Sequence, residues 1–198
     1  MSVGMAIPKC FCWSRFGTEA GETIEQILER KEVERSKNNG LFLWGIGNSI
    51  GPSLGDLLSC EKFPEVLFSP IISAPKRVDI LPTTTCVWTS AKDLNGKSFS
   101  MPQWSRVTSR VSTGPKANRH YALVCFSDIP LRIDTNPPFI RMNRIRNLRT
   151  NNVVGASQVT SVVRYSEDLE ENGTRYSVAF RERLVAPFFV VLGSPVIL

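Results

Sequence analysis

Apolar and polar residues fall along the chain in short runs that predict a β-rich domain with one clear helix. Residues 9–14 (KCFCWS) carry bulky apolar side chains and predict a first strand. Over 18–35 the pattern takes a helical period: Ile24, Ile27 and Leu28 form one stripe, Lys31 is next in the spacing, and glutamates occupy the other faces. Thr23 with Gln26 has the spacing of a capping box, although Thr18 has the chemistry to cap an earlier start. Asn38, Asn39 and Gly40 then end the helix. Packing Ile24, Ile27 and Leu28 on a sheet contributes on the order of 5–8 kcal/mol as an upper figure.

Further strands are predicted at 41–44 (LFLW), 66–68, 77–81, 84–90 and 121–126 (YALVCF). Gly45, Gly47, Asn48, Gly51 and Pro52 form a flexible loop after the second of these runs. Asn95-Gly96 marks a tight turn between Lys92 and Phe99. Residues 101–118 are polar and basic and predict a long loop of the kind that often carries function. Residues 140–152 place Met142, Ile145 and Leu148 three apart, which predicts a short helical or irregular segment. Residues 155–165 predict a helix or strand returning to the sheet. A hairpin turn is expected at 170–173 (EENG), before strands over 175–183 and 184–192. The fold class is α+β, with roughly six strands in a curved mixed β-sheet or partial barrel and two or three flanking helices.

Charge narrows the function. The 198 residues are 42% apolar, as in a globular domain, with a formal net charge of +6. Glu19, Glu22, Glu25, Glu29, Glu32 and Glu34 crowd the first third, whereas 101–150 hold Arg106, Arg110, Lys116, Arg119, Arg132, Arg141, Arg144, Arg146 and Arg149 against Asp128 and Asp134. Arginine binds phosphate through a planar fork, so this segment points to nucleic acid as the partner. The candidate phosphate-binding residues are Arg106, Arg110, Lys116, Arg119, Arg141, Arg144, Arg146, Arg149, Asn151 and Asn152.

Several chemistries find no support. Cys10, Cys12, Cys60, Cys86 and Cys125 have no paired spacing and His120 stands alone, so no metal is expected and the cysteines read as buried free thiols. No acid stands beside His120 and no nucleophile elbow occurs. The glycines of 45–51 run into Pro52 rather than a helix, against a nucleotide cofactor. No cofactor is expected. No signal peptide is visible, and the apolar run 184–198 is broken by Pro187, Gly193 and Pro195, so a cytoplasmic protein without membrane contact is expected.

Trp13, Trp44 and Trp88 each end or punctuate a strand beside small residues. If those strand ends meet, the rings wall a pocket for a nucleobase, with Ser14 among its lining and Asn48 and Ser49 reading the polar edge of the base. The competing expectation is that they are core residues, since tryptophan is highly buried on average.

The order of a first strand, an amphipathic helix, LFLWGIGNS, VLFSPI and IRNLRTNNVVGASQVTSVVRY resembles EVE and YTH domains of the PUA-like superfamily. Trp44, Gly45 and Asn48 match the first motif, Val66 to Ser69 the second, and Asn147 to Gly155 the third. The resemblance covers 9–165 and treats 1–198 as one EVE/YTH-like domain with a C-terminal β extension at about 174–198. It departs from the family at Ser69-Pro70, where an aromatic is usual, and in the long segment 101–118.

The resemblance implies a PUA-like fold and a reader of modified, in particular methylated, DNA or RNA bases. Such a base is held flipped or single-stranded in an aromatic pocket, and the domain serves as the specificity component of a prokaryotic defence or restriction system with an effector protein as partner. An enzymatic alternative is an ASCH-like amidohydrolase acting on a modified nucleoside, for which Lys9, Thr23 and Glu65 supply the residue types. The third reading is a protein-interaction module whose basic segment docks an acidic partner.

Overall fold

A computed structural model describes residues 6–17, 23–46, 55–57, 64–73, 84–88, 90–99, 106–109, 120–154, 160–166, 175–193 and 195–197. In chain order the elements are β1 (Cys10–Gly17), α1 (Ile24–Lys37), β2 (Leu41–Ile46), β3 (Glu65–Ser73), β4 (Thr84–Trp88), β5 (Ala91–Lys92), β6 (Ser98–Phe99), β7 (Arg106–Ser109) and β8 (His120–Phe126). Then come β9 (Phe139–Arg141), a 3-10 turn (Met142–Arg144), β10 (Ile145–Asn147), β11 (Thr160–Tyr165), β12 (Arg175–Ser177), β13 (Phe180–Leu192) and β14 (Pro195–Ile197). The fold is α+β, dominated by a mixed sheet with few helices, and the described strands do not close into a barrel.

Nine strands form the main sheet. One path runs β10-β11-β1-β3-β13-β5-β6, and β8 adds to β13 with β2 beyond it. The β1–β3 pair is parallel and its neighbours are antiparallel. β1 has a near-continuous apolar sequence because both of its faces are covered, which is the reason such strands lose clean alternation. On one face, Cys12 and Phe16 join Trp44, Phe68, Leu123, Leu184 and the α1 residues Ile27 and Leu28 in one cluster. On the other face the core divides. Phe11, Trp13 and Leu67 pack under the β9–β12 pair, while Leu43, Val124 and Val190 pack with Trp88 of β4.

α1 begins where the capping box places it. Thr23 Oγ1 accepts from the Gln26 N–H at 3.3 Å, and the Gln26 side chain accepts from the Thr23 N–H at 2.8 Å. The chain leaves α1 through Asn39 (φ 52°) and Gly40 (φ 89°). Ile27 and Leu28 are buried as expected, Ile24 is partly buried, and Lys31 and Glu34 are buried as an ion pair. At the other predicted turn, Asp93 Oδ1 accepts from the N–H groups of Asn95 and Lys97, and Gly96 takes φ 83° between β5 and β6.

Four expectations change. The C-terminal β extension does not lie at the margin: β13 pairs with β3, β8 and β5 inside the sheet, because its thirteen residues are long enough to meet all three. The segment 101–118 is not loop throughout, since β7 pairs with β4; the rest of it lies outside the described residues. Residues 140–152 are mostly extended, with only the 3-10 turn helical. The strands flanking 170–173 do not form a hairpin: β11 pairs with β1 and β10, whereas β12 pairs with β9. Of the 155–165 segment, the described residues Thr160–Tyr165 form strand β11. The predicted strand 77–81 and the turn 170–173 themselves lie outside the described residues. Beside α1, the described helical residues are a fragment at 55–57 and the 3-10 turn.

Candidate functional site

β9 and β12 form an antiparallel ribbon with Arg141 opposite Arg175, Ile140 opposite Tyr176 and Phe139 opposite Ser177. Ile140 is buried against Trp13 and its neighbours, so alternation turns Phe139 and Arg141 to the other side of the ribbon. Phe139 is 52% exposed. The 3-10 turn buries Met142 and brings Arg144 to Tyr165, whose hydroxyl accepts from Arg144 Nη1 at 3.3 Å. Tyr165 closes β11 opposite Ile145. Phe139, Arg141, Arg144, Tyr165 and Arg175 thereby line a cleft of about 310 Å³.

Among the described residues that line the cleft, the charged groups are all arginines. Among the described residues, neither Arg141 nor Arg175 has a carboxylate partner. The Arg175 guanidinium lies 4.2 Å from the centroid of the Phe139 ring. Like charges directly opposite on paired strands are destabilising, and an anion between two guanidinium forks offsets that cost.

The remaining basic candidates separate. Arg149 Nε donates to Asp56 Oδ2 at 2.6 Å. Arg146 faces Arg164 across β10–β11, and Arg164 Nη2 donates to Asn151 Oδ1. Asn151, in the left-handed region at φ 59°, donates its N–H to Asn147 O, and the carbonyl of Asn152 accepts from the Asn147 N–H, so both shape the turn after β10. Arg106 is described in its backbone alone. Arg110, Lys116 and Arg119 lie outside the described residues, as do Asn48 and Ser49.

The tryptophans do not share a pocket. Trp13, Trp44 and Trp88 belong to three different clusters of buried residues. The cause is the period of a strand: Trp13 and Ser14 point to opposite faces of β1, and only Ser14 points toward Trp44. Trp88 packs beneath β2, β8 and β13 from a separate three-stranded sheet. Trp44 is 5% exposed and packs edge-on against Phe16 and Phe68, with ring centroids 5.3 and 4.5 Å away. Its indole N–H donates to Ser14 Oγ at 3.0 Å, and Ser14 Oγ lies 3.0 Å from Thr160 Oγ1.

Two of the cleft's five residues, Arg141 and Arg144, were predicted from sequence; Phe139, Tyr165 and Arg175 were not. Arg175 is some thirty residues from Arg141, and only the strand pairing joins them. Tyr165 ends the stretch IRNLRTNNVVGASQVTSVVRY, beyond the matched motif Asn147 to Gly155.

Elsewhere, Thr23 is occupied in the cap of α1, and Glu65 Oε1 accepts from Arg181 Nη2 at 2.8 Å. Cys12 and Cys125 are buried free thiols; burial pushes Cys12 up to about 12 and Cys125 well above the usual thiol range. Among the described residues no cluster of three or more His, Cys, Asp or Glu side chains is placed to hold a metal. No described helix is long and apolar enough to cross a membrane. No protein-family model, curated protein or solved structure matches the chain.

Proposed function

We propose that this chain binds nucleic acid, with the cleft between β9, β12 and the β10–β11 edge as its phosphate contact. The observation that carries the reading is the cross-strand placement of Arg141 and Arg175 beside an exposed phenylalanine. Guanidinium forks suit phosphate oxygens, and an exposed ring offers a face for a base. The concentration of arginine in 101–150 supports the same partner, as does the resemblance to EVE and YTH domains. The PUA-like assignment of the sheet belongs to this proposal, together with a defence-system setting and an effector partner.

The test is binding of unmodified oligonucleotides at several salt concentrations. Arg141→Ala and Arg175→Ala should each weaken all sequences about equally, on the order of tenfold, and lower the salt slope by roughly one. An unchanged slope in both variants removes the cleft from the interface.

Modified-base selection is a second reading. It rests on the resemblance of LFLWGIGNS to the EVE and YTH motif, whereas Trp44 itself is buried in the core. Comparison of N6-methyladenine and unmodified oligonucleotides at fixed salt tests it. Equal affinities for modified and unmodified strands would remove the selectivity while leaving phosphate binding intact.

A further inference from the structure

We infer that the arginine cleft takes a terminal phosphate monoester, so that it holds the end of a strand rather than its interior; this rests on the nucleic-acid reading above. Charge is the first support. Arg141 and Arg175 are register partners on adjacent strands, and neither is neutralised by a carboxylate among the described residues. A phosphate monoester carries about −1.5 to −2 at neutral pH and presents three acceptor oxygens. An internal phosphodiester carries a single negative charge and presents two non-bridging oxygens. Two forks side by side match the monoester better in both charge and acceptor number.

Shape is the second support. At about 310 Å³ the cleft is at the small end of ligand sites. Its lining gathers from β9, the 3-10 turn, the end of β11 and β12 around one spot. The Phe139 ring stands at this spot, more than half exposed and next to the Arg175 fork, so a base can stack where its phosphate is held. Further along this edge of the sheet, Arg149 is already paired with Asp56 and Arg164 with Asn151. Among the described residues, Arg141 and Arg175 are thus left without a carboxylate partner, whereas Arg149 has one.

The experiment compares single strands of one sequence, labelled internally, that end in a 5′-phosphate, a 3′-phosphate or hydroxyls only, at one fixed salt concentration. One phosphorylated end should bind about tenfold more tightly than the hydroxyl-ended strand, the size of one added charge-assisted contact. AMP should compete for the cleft and adenosine should not. Arg175→Ala, at an exposed strand position, should erase the preference, and Arg141→Lys should reduce it by keeping charge without the fork. Equal affinity for all three strands, with all three weakened by Arg175→Ala, overturns the end-recognition inference and leaves nucleic-acid binding standing. Absence of binding to every strand overturns both. A phosphate preference that survives in Arg175→Ala and Arg141→Ala places end recognition outside this cleft and also overturns the inference.

Discussion

The indole N–H of Trp44, within β2, donates to Ser14 Oγ on β1 at 3.0 Å, although the two strands are not neighbours in the sheet. The bond lies within one cluster of buried residues, where Phe16 and Phe68 pack edge-on against the Trp44 ring. A buried indole needs a partner for its N–H, and Ser14 supplies one while remaining within hydrogen-bond distance of Thr160.

Trp44→Ala should therefore destabilise the protein by about 3–5 kcal/mol, the range for deleting a large buried aromatic. Trp44→Phe keeps most of the ring and loses the donor, and should cost about 1–2 kcal/mol. Urea denaturation measures both. A Trp44→Ala variant of unchanged stability that fails to distinguish modified from unmodified bases would instead make this ring the wall of a ligand pocket.

Lys31 and Glu34 form a buried ion pair on α1 at 2.8 Å, and Glu34 Oε2 also accepts from the Leu43 N–H at 3.3 Å. Burial pulls Lys31 below the usual lysine range and pushes Glu34 above the usual carboxylate range, while each partner opposes the shift of the other. Lys31→Met or Glu34→Gln alone leaves an uncompensated buried group and should cost about 3–5 kcal/mol. The double variant should cost clearly less than the sum of the two. Simple additivity in a double-mutant cycle would show that the pair is not coupled.

Glu182, on β13, is 8% exposed, and burial raises its carboxyl from 4.5 to about 7. A hydrogen bond from Ser127 and the charge of Arg35 oppose this rise, while Asp128 adds to it. In the unfolded chain the group ionises near 4.5, so between 4.5 and about 7 the folded state holds the extra proton. Stability from this residue is greatest below 4.5, falls as pH rises to about 7, and is level above. Thermal melts of the wild type should show this loss across that window. Glu182→Gln should flatten it and raise the melting temperature at pH above 7. An identical pH profile in the variant would rule out Glu182 as the source.

Local physics was legible in the chain. The capping box of Thr23 and Gln26, the stripe of Ile27 and Leu28, the Asn95-Gly96 turn and the strands at β1, β2, β3, β4 and β8 all depend on neighbours within a few residues. Period and turn chemistry specify such features directly. The arginine-rich composition pointed to Arg141 and Arg144, which share the cleft, but equally to Arg149, which an aspartate nearly a hundred residues away neutralises. Charge along a sequence does not reveal which charges are already paired.

What only the tertiary structure decided is which residues meet. Trp13, Trp44 and Trp88 resemble one another in sequence context, yet the sheet separates Trp44 from the other two, and Trp13 and Trp88 join different clusters on its other face. Arg175 joins Arg141 because β12 pairs with β9 rather than folding back on β11, and Phe180–Leu192 becomes a central strand because three separate partners meet it. Strand pairing is non-local: a run of alternating residues specifies a face to be buried, but not the strand that covers it. The sequence by itself determined the capped helix, the most apolar strands and the basic composition; the register between distant strands placed Arg141 beside Arg175, neither with a carboxylate partner among the described residues.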